Sequence, residues 1–404
     1  MELLDVPPEL LENIIHLLVE QFGIAAAWRL RLVCKTFADH VSSELEKNHH
    51  MKEFSYGTYR CKVGKAGLDG FLLSRMVSAS DCHPAVPTAI HETAEYLATF
   101  DKRQGVVQNE VIIHDIAERL CKVVASRHAN AISDTVKMLG YGYDDSSLSS
   151  ASSATSPSTE QDLADRLVGS AVIGNQAAID QCLSDGANLA DASRVFGYAL
   201  SLTATHGNHA ALHSLLQRLP RKINPRIAGH TEIQAMLYNA IISSLLARKF
   251  SMAITLSQWY AEFVQRVPRQ HFNHILTAAI MAKHPNSVEA ILLIKVGTTA
   301  KVTPTHIEDS VRAGSVLVFK LLLRYFEYDK NSRWSRLLSD IIKCGRPNLL
   351  KALLERRQRR RRSTLDAKLE WFLTLAKQYH RFEMVKILRQ AGAEDSLPIP
   401  YFNV

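Results

Sequence analysis

The 404-residue chain has no CxxC pair and no Cys/His spacing of a metal site, although six cysteines are spread along it (Cys34, Cys61, Cys82, Cys121, Cys182 and Cys344). Scattered cysteines with no short pairing fit free thiols in a reducing compartment, cytoplasmic or nuclear. No apolar run approaches the ~18 residues of a membrane span. The opening Met1-Glu2-Leu3-Leu4-Asp5 has no basic region ahead of an apolar one, so neither a span nor a secretory leader is expected. Motifs that carry chemistry are missing as well: there is no GxSxG, HExxH or P-loop. His91-Glu92 lacks a second histidine at metal spacing, and Gly64-Lys65 lacks the upstream glycine and the hydroxyl residue of a phosphate loop. Gly64, Gly67 and Gly70, at intervals of three, are not a dinucleotide fingerprint. No catalytic residue, cofactor or metal is therefore expected, and the chain reads as a binding protein and not an enzyme. Aromatic residues are few while leucine and alanine dominate, which favours helix.

The net charge of +8 is concentrated. Arg356, Arg357, Arg359, Arg360, Arg361 and Arg362 supply most of it, and the remainder of the chain is close to balanced, so no broad basic face and no nucleic-acid partner are expected. Guanidinium groups this close repel one another and must stay solvated or meet anions. The run is a candidate nuclear-import or acidic-partner site.

What the chain has in quantity is one short pattern, repeated. Near the C-terminus Met384, Val385, Ile387 and Leu388 recur at helical spacing, and Gly392 follows as a helix stop. Upstream, Leu369, Trp371, Phe372, Leu375 and Ala376 form a second apolar stripe. The unit is helix, tight turn, helix, glycine stop, with Gly186 and Gly392 expected in left-handed backbone conformations. Such a hairpin cannot bury both apolar faces alone and needs copies beside it. Copies start at Gly174, Gly207, Pro285, Gly314 and Gly345, with a poor fit at Arg248, at a mean interval near ~33 residues. Small residues recur ahead of the turns: Ser170-Ala171, Thr203-Ala204, Ala278-Ala279 and Ala376. The pattern G-N-x-x-[IVL]-[IVL]-x-x-L-L-x-x-G-A resembles the second helix and turn of the ankyrin repeat. The first-helix signature TPLH of that family is absent; only Thr303-Pro304-Thr305-His306 resembles it, about two residues too far from Gly314. Thr305 and Glu308 have capping-box spacing. A generic helical-hairpin array is the alternative.

At the N-terminus, Pro7 and Pro8 suit the approach to a helix. Leu10, Leu11, Ile14, Ile15, Leu17 and Leu18 then give a broad apolar face, Gly23 interrupts, and Leu30, Val33, Phe37, Val41 and Leu45 mark a second apolar side. Val6-Pro7-Pro8-Glu9-Leu10 with Ile14, Ile15 and Leu18, then Leu30, Val33, Cys34, Lys35 and Phe37, resemble the two halves of the F-box. Val6 stands where that family has leucine. The resemblance implies docking on the Skp-type adaptor of a cullin–RING ubiquitin ligase through Pro7, Pro8, Leu10, Ile14, Val33, Cys34 and Phe37. The whole arrangement resembles fungal F-box-like proteins with degenerate ankyrin repeats.

The expected fold is all-α, an F-box-like module followed by an ankyrin-type helical-hairpin solenoid. The module covers residues 1–47. A helical connecting region, 48–143, has room for the first degenerate repeats, with Ala131–Leu139 and Gly140 reading as one more second helix and stop. A flexible serine-rich linker covers 144–160, the repeat array 161–397 and a tail 398–404. The expected activity is that of a protein–protein adaptor, a substrate receptor whose array holds a protein near Ala187-Asn188, Thr298-Thr299 and Ala393-Glu394. The alternative is an ankyrin-repeat scaffold or nuclear regulator with no ligase link.

Overall fold

A computed structural model describes residues 7–30, 34–48, 70, 72–74, 85–101, 106–128, 159–193, 195–220, 223, 227, 229–264, 267–294, 302–326, 333–358 and 369–394. Among them the chain is helical, with no strand longer than an isolated bridge. It forms two compact units, Met1–Arg218 and Leu219–Val404. The boundary falls inside the stretch expected as one array, and the helices ahead of the serine-rich segment share the first unit with the hairpins after it. Residues 131–140 and 144–158 lie outside the described residues, and Thr159 and Glu160 already belong to a helix.

The first unit opens with α1 (Pro8–Leu30), broken at Gly23, whose φ of 76° and ψ of 163° are not helical, and α2 (Lys35–Asn48). Leu11, Ile15 and Val19 of α1 meet Ala27, Phe37 and Val41 in a small core of their own. At the start of α2 the Phe37 backbone N–H donates to Cys34 Sγ at 3.4 Å. His16 Nδ1 lies 2.7 Å from Glu44 Oε1, tying the two helices together. The expected apolar face of α1 is thus split. Leu11 and Ile15 are buried, while Leu10 and Leu17 are exposed.

Farther on come α3 (Ala85–Ala98), α4 (Val106–His128), α5 (Thr159–Ile173), α6 (Gln176–Ser184), α7 (Ala199–His206) and α8 (His209–Arg218). Helix α3 packs on α4 and α5, α5 on α7, and α6 on α8. Ile90, Leu97, Leu120, Leu167 and Ile179 fill the space between them. The approach of α3 to α5 is close, since a Cβ on Gly169 would lie 2.3 Å from Thr93 Cγ2.

Among the described residues the second unit is built of five hairpins: α9 (His230–Leu246) with α10 (Phe250–Phe263), α11 (Arg269–Met281) with α12 (Pro285–Leu292), α13 (Pro304–Ala313) with α14 (Val316–Tyr325), α15 (Arg333–Lys343) with α16 (Pro347–Gln358), and α17 (Leu369–Gln378) with α18 (Phe382–Gln390). First helices pack on first helices and second on second throughout. Each hairpin thereby covers the apolar faces of its neighbours, as the repeat pattern requires. In α17 the buried set is Leu369, Phe372, Leu373 and Ala376, so Leu373 takes the place expected for Trp371, which is exposed. The expected stripe of α18, Met384, Val385, Ile387 and Leu388, is buried in full.

One bend recurs between the two helices of each of seven hairpins. Gly174, Gly207, Arg248, Lys283, Gly314, Gly345 and His380 all have φ between 54° and 82°. Arg248, judged a poor fit by sequence, has the same geometry as the others, and the hairpin assigned to Pro285 turns at Lys283. The residue four positions earlier is small in most turns, and its carbonyl receives the turn's N–H groups. Gly174 and Asn175 both donate to Ser170 O (2.9 and 3.0 Å), Lys249 to Ser244 O (2.8 Å) and Arg381 to Ala376 O (2.8 Å). These bonds satisfy carbonyls that the helix end leaves open. Gly186 and Gly392, at φ 98° and 96°, close the second helices of their hairpins as the pattern predicts.

Candidate functional site

The seven residues expected to meet an adaptor do not share one environment. Pro7 and Pro8 are exposed at the head of α1, where the Pro7 carbonyl accepts from Leu10 N–H (3.0 Å) and Leu11 N–H (3.1 Å). Leu10 is 54% exposed, and Ile14 and Cys34 are half-buried. Phe37 is 5% exposed and belongs to the core between α1 and α2, so it holds the head together instead of presenting a contact surface. Val33 lies outside the described residues. Leu17, which sequence reasoning left among the general apolar face, is 55% exposed. Leu10, Ile14 and Leu17 stand at spacings of four and three and form one outward stripe on α1. The inward stripe, Leu11–Ile15–Val19, runs beside it, one or two positions later. A helix apolar on both sides, one side already buried, leaves the other for something else.

Array positions expected to hold a partner are also divided. Asn188 is exposed, but its side chain is engaged locally, accepting from Ala190 N–H (3.1 Å) and donating to Asp191 (3.0 Å). Ala393 is buried while Glu394 is exposed. Thr298 and Thr299 lie outside the described residues, as do Arg359 to Arg362. Arg356 and Arg357 fall in the last turn of α16.

Two places invite a chemical reading. A cleft of ≈ 430 Å³ in the first unit is lined by Leu97, Phe100, Asp115, Ile116 and Arg119 among others. Its guanidinium is turned to structure, donating to the Ile173 carbonyl at 3.3 Å. Cys182 is fully buried, its Sγ 3.4 Å from Tyr96 Oη and 4.0 Å from Ser170 Oγ. Burial pushes the Cys182 thiol up and keeps it protonated, the opposite of an activated nucleophile. Among the described residues no three His, Cys, Asp or Glu side chains converge as a metal site would need, and no helix is long and apolar enough to cross a membrane.

Two histidines are built into helix starts. His284 at its repeat turn accepts from the Ser287 backbone N–H at 3.3 Å. The capping box of α13 is formed by Thr303 and His306, not by Thr305 and Glu308. Thr303 N–H donates to His306 Nδ1 at 3.1 Å, with Pro304 in the first turn.

No protein-family model matches the chain, and no curated protein matches it.

Proposed function

We propose that the protein is a non-enzymatic adaptor, an F-box-type substrate receptor that joins a cullin–RING ubiquitin ligase, through its Skp-type subunit, to a protein held by ankyrin-type hairpins. The observation that carries this reading is the outward stripe on α1, Leu10 and Leu17 exposed with the half-buried Ile14 between them, beside Pro7 and Pro8, while the same helix buries a second stripe in the head's own core. Exposed leucines at helical spacing fit the face of a partner helix. Two features support the ankyrin-type part. The hairpins pack first helix on first helix, and Thr303-Pro304-Thr305-His306 opens α13 with the threonine capping and the histidine bonded back to it.

A pull-down of the full-length protein on purified Skp-type adaptor tests the reading. Wild type is retained, and Leu10→Asp with Leu17→Asp is lost while remaining folded, because both side chains already face water. No retention of wild type, or equal retention of the double variant, overturns it. Phe37 is unsuited to this test, since replacing it opens the core of the head.

A further inference from the structure

The turns that join first to second helices in the second unit are basic without exception. From three residues before each left-handed position to two after it, the five turns hold eight Lys or Arg and no Asp or Glu. The turns at Gly174 and Gly207, over the same span, hold no charged residue of either sign. The charge therefore belongs to one set of hairpins and not to the turn type.

The five turns of the second unit lie side by side. Phe250 stacks on His284 of the next turn, ring centroids 4.1 Å apart. Arg346 lies against Gly314 and Arg381 against Gly345, with guanidinium carbons 2.9 and 2.8 Å from where a Cβ would stand. The expectation of no broad basic face fails here, because stacking gathers on one edge cations that are about thirty residues apart in sequence.

Folding accounts for only part of this charge: Arg312 pairs with Asp309 at 3.5 Å, and Arg381 Nη2 donates to the Lys343 carbonyl at 3.2 Å. Arg312, Lys343 and Lys377 sit in the last turns of first helices, where a cation offsets the helix dipole. Lys249, Arg346 and Arg381 instead stand immediately before second helices, where the dipole disfavours a cation and Asn, Ser or Asp is preferred. In the first unit Asn175 and Asn208 hold these positions and cap Ala178 and Ala211. Neither Lys249 nor Arg381 makes a side-chain cap. Arg248, Lys249, Lys283, Lys343 and Arg346 have no carboxylate partner among the described residues. Leu246, Met281 and Phe382, each more than half exposed, fall within the same turns, and Leu317, also exposed, stands one residue beyond its turn.

We infer that this edge binds an extended acidic polypeptide segment with large apolar side chains between its carboxylates. Stacked helices repeat at about 10 Å, and one turn of a polyproline II chain, three residues at ~3.1 Å each, covers nearly the same distance and returns every third side chain to one face. An Asp or Glu at every third position therefore meets one turn after another, and its apolar neighbours meet the exposed leucines, methionine and phenylalanine. A nucleic acid would match the charge but leave those side chains without partners. The inference builds on the reading of the hairpins as the partner-holding part and is independent of what the head binds.

Fluorescence anisotropy on the full chain tests it, with a labelled peptide repeating Glu-Leu-Gly and a control repeating Gln-Leu-Gly. The acidic peptide binds at least about tenfold more tightly than the control at low salt, and the difference shrinks as salt rises. Lys249→Asn with Arg346→Asn and Arg381→Asn weakens binding at least about tenfold, the three lost exposed ion pairs each contributing a fraction of that change. The same variant stays folded, the better asparagine cap offsetting the lost Arg381 bond to the Lys343 carbonyl. Lys386→Asn with Arg389→Asn, on exposed positions of α18, leaves binding unchanged. No binding by wild type, equal binding of the two peptides, or full binding by the triple variant overturns the inference. So does tighter binding of duplex DNA or phosphatidylserine vesicles that the same three substitutions abolish. An adaptor pull-down that succeeds while this assay fails separates the two readings.

Discussion

Arg381 lays its guanidinium over Gly345 and donates from Nη2 to the Lys343 carbonyl at 3.2 Å. The glycine is needed less for its own turn, which Arg248, Lys283 and His380 show other residues can make, than for the room it leaves the next hairpin. Gly345→Ala is expected to lower stability by about 1–2 kcal/mol, from the left-handed backbone and the clash together. Adding Arg381→Ala should recover part of that loss, because the backbone cost alone then remains. A double-mutant cycle by urea denaturation measures the coupling.

Gly174 and Gly186 separate the same two contributions in the first unit. Both have positive φ, but a Cβ on Gly186 meets nothing within 4 Å, while one on Gly174 would lie 2.0 Å from Asn208 Nδ2. Asn208 caps α8 through the Ala211 N–H. Gly186→Ala should cost ~1 kcal/mol of backbone strain, and Gly174→Ala about 1 kcal/mol more through the displaced cap. Equal melting temperatures for the two variants would contradict this account of the turn.

The head makes its own stability prediction. Phe37→Ala removes a buried ring from a six-residue core and should cost ~3–5 kcal/mol, enough to unfold so small a module. Leu10→Ala, on the exposed side of the same helix, should stay within ~0.5 kcal/mol of wild type. Hydrogen exchange of the α1 and α2 amides distinguishes the two.

Acid should weaken the second unit. His306 is buried, and burial holds its pKa below the ordinary 6.5, with Asp309 opposing the shift and Arg269 adding to it. The unfolded chain then binds the proton more readily than the folded one. Stability present above pH ~6.5 is lost as pH falls from there through the lowered folded value. The head responds in the opposite sense. His16 has its pKa raised, first by the hydrogen bond to Glu44 and then by the charges of Glu44 and Glu20. Its contribution is complete below pH ~6.5 and disappears as pH rises through the raised value. Thermal melts from pH 5.5 to 8.5 should show these opposed trends, the first reduced in His306→Gln and the second in His16→Ala.

Much of the repeat could be read from periodicity. Met384, Val385, Ile387 and Leu388 with Gly392 declare a helix and its stop, because one face and one backbone requirement suffice to write that pattern. Lys283 and His380 carry no such mark. They adopt the left-handed bend because packed helices on either side hold it, and nothing local announces the fact. Leu10 and Leu11 were equally apolar neighbours until α2 covered one of them. The basic edge was hidden for a related reason, since Lys249, Arg346 and Arg381 acquire a common surface through stacking alone.

The bend that tolerates glycine, arginine, lysine or histidine bears on how such chains change over time. Its shape is kept by the bodies on both sides, so the letters that spell it can drift wherever the next hairpin leaves room for a side chain. Lineages can exchange the spelling of a hairpin without losing its contour, and comparison by letters fades well before comparison by shape.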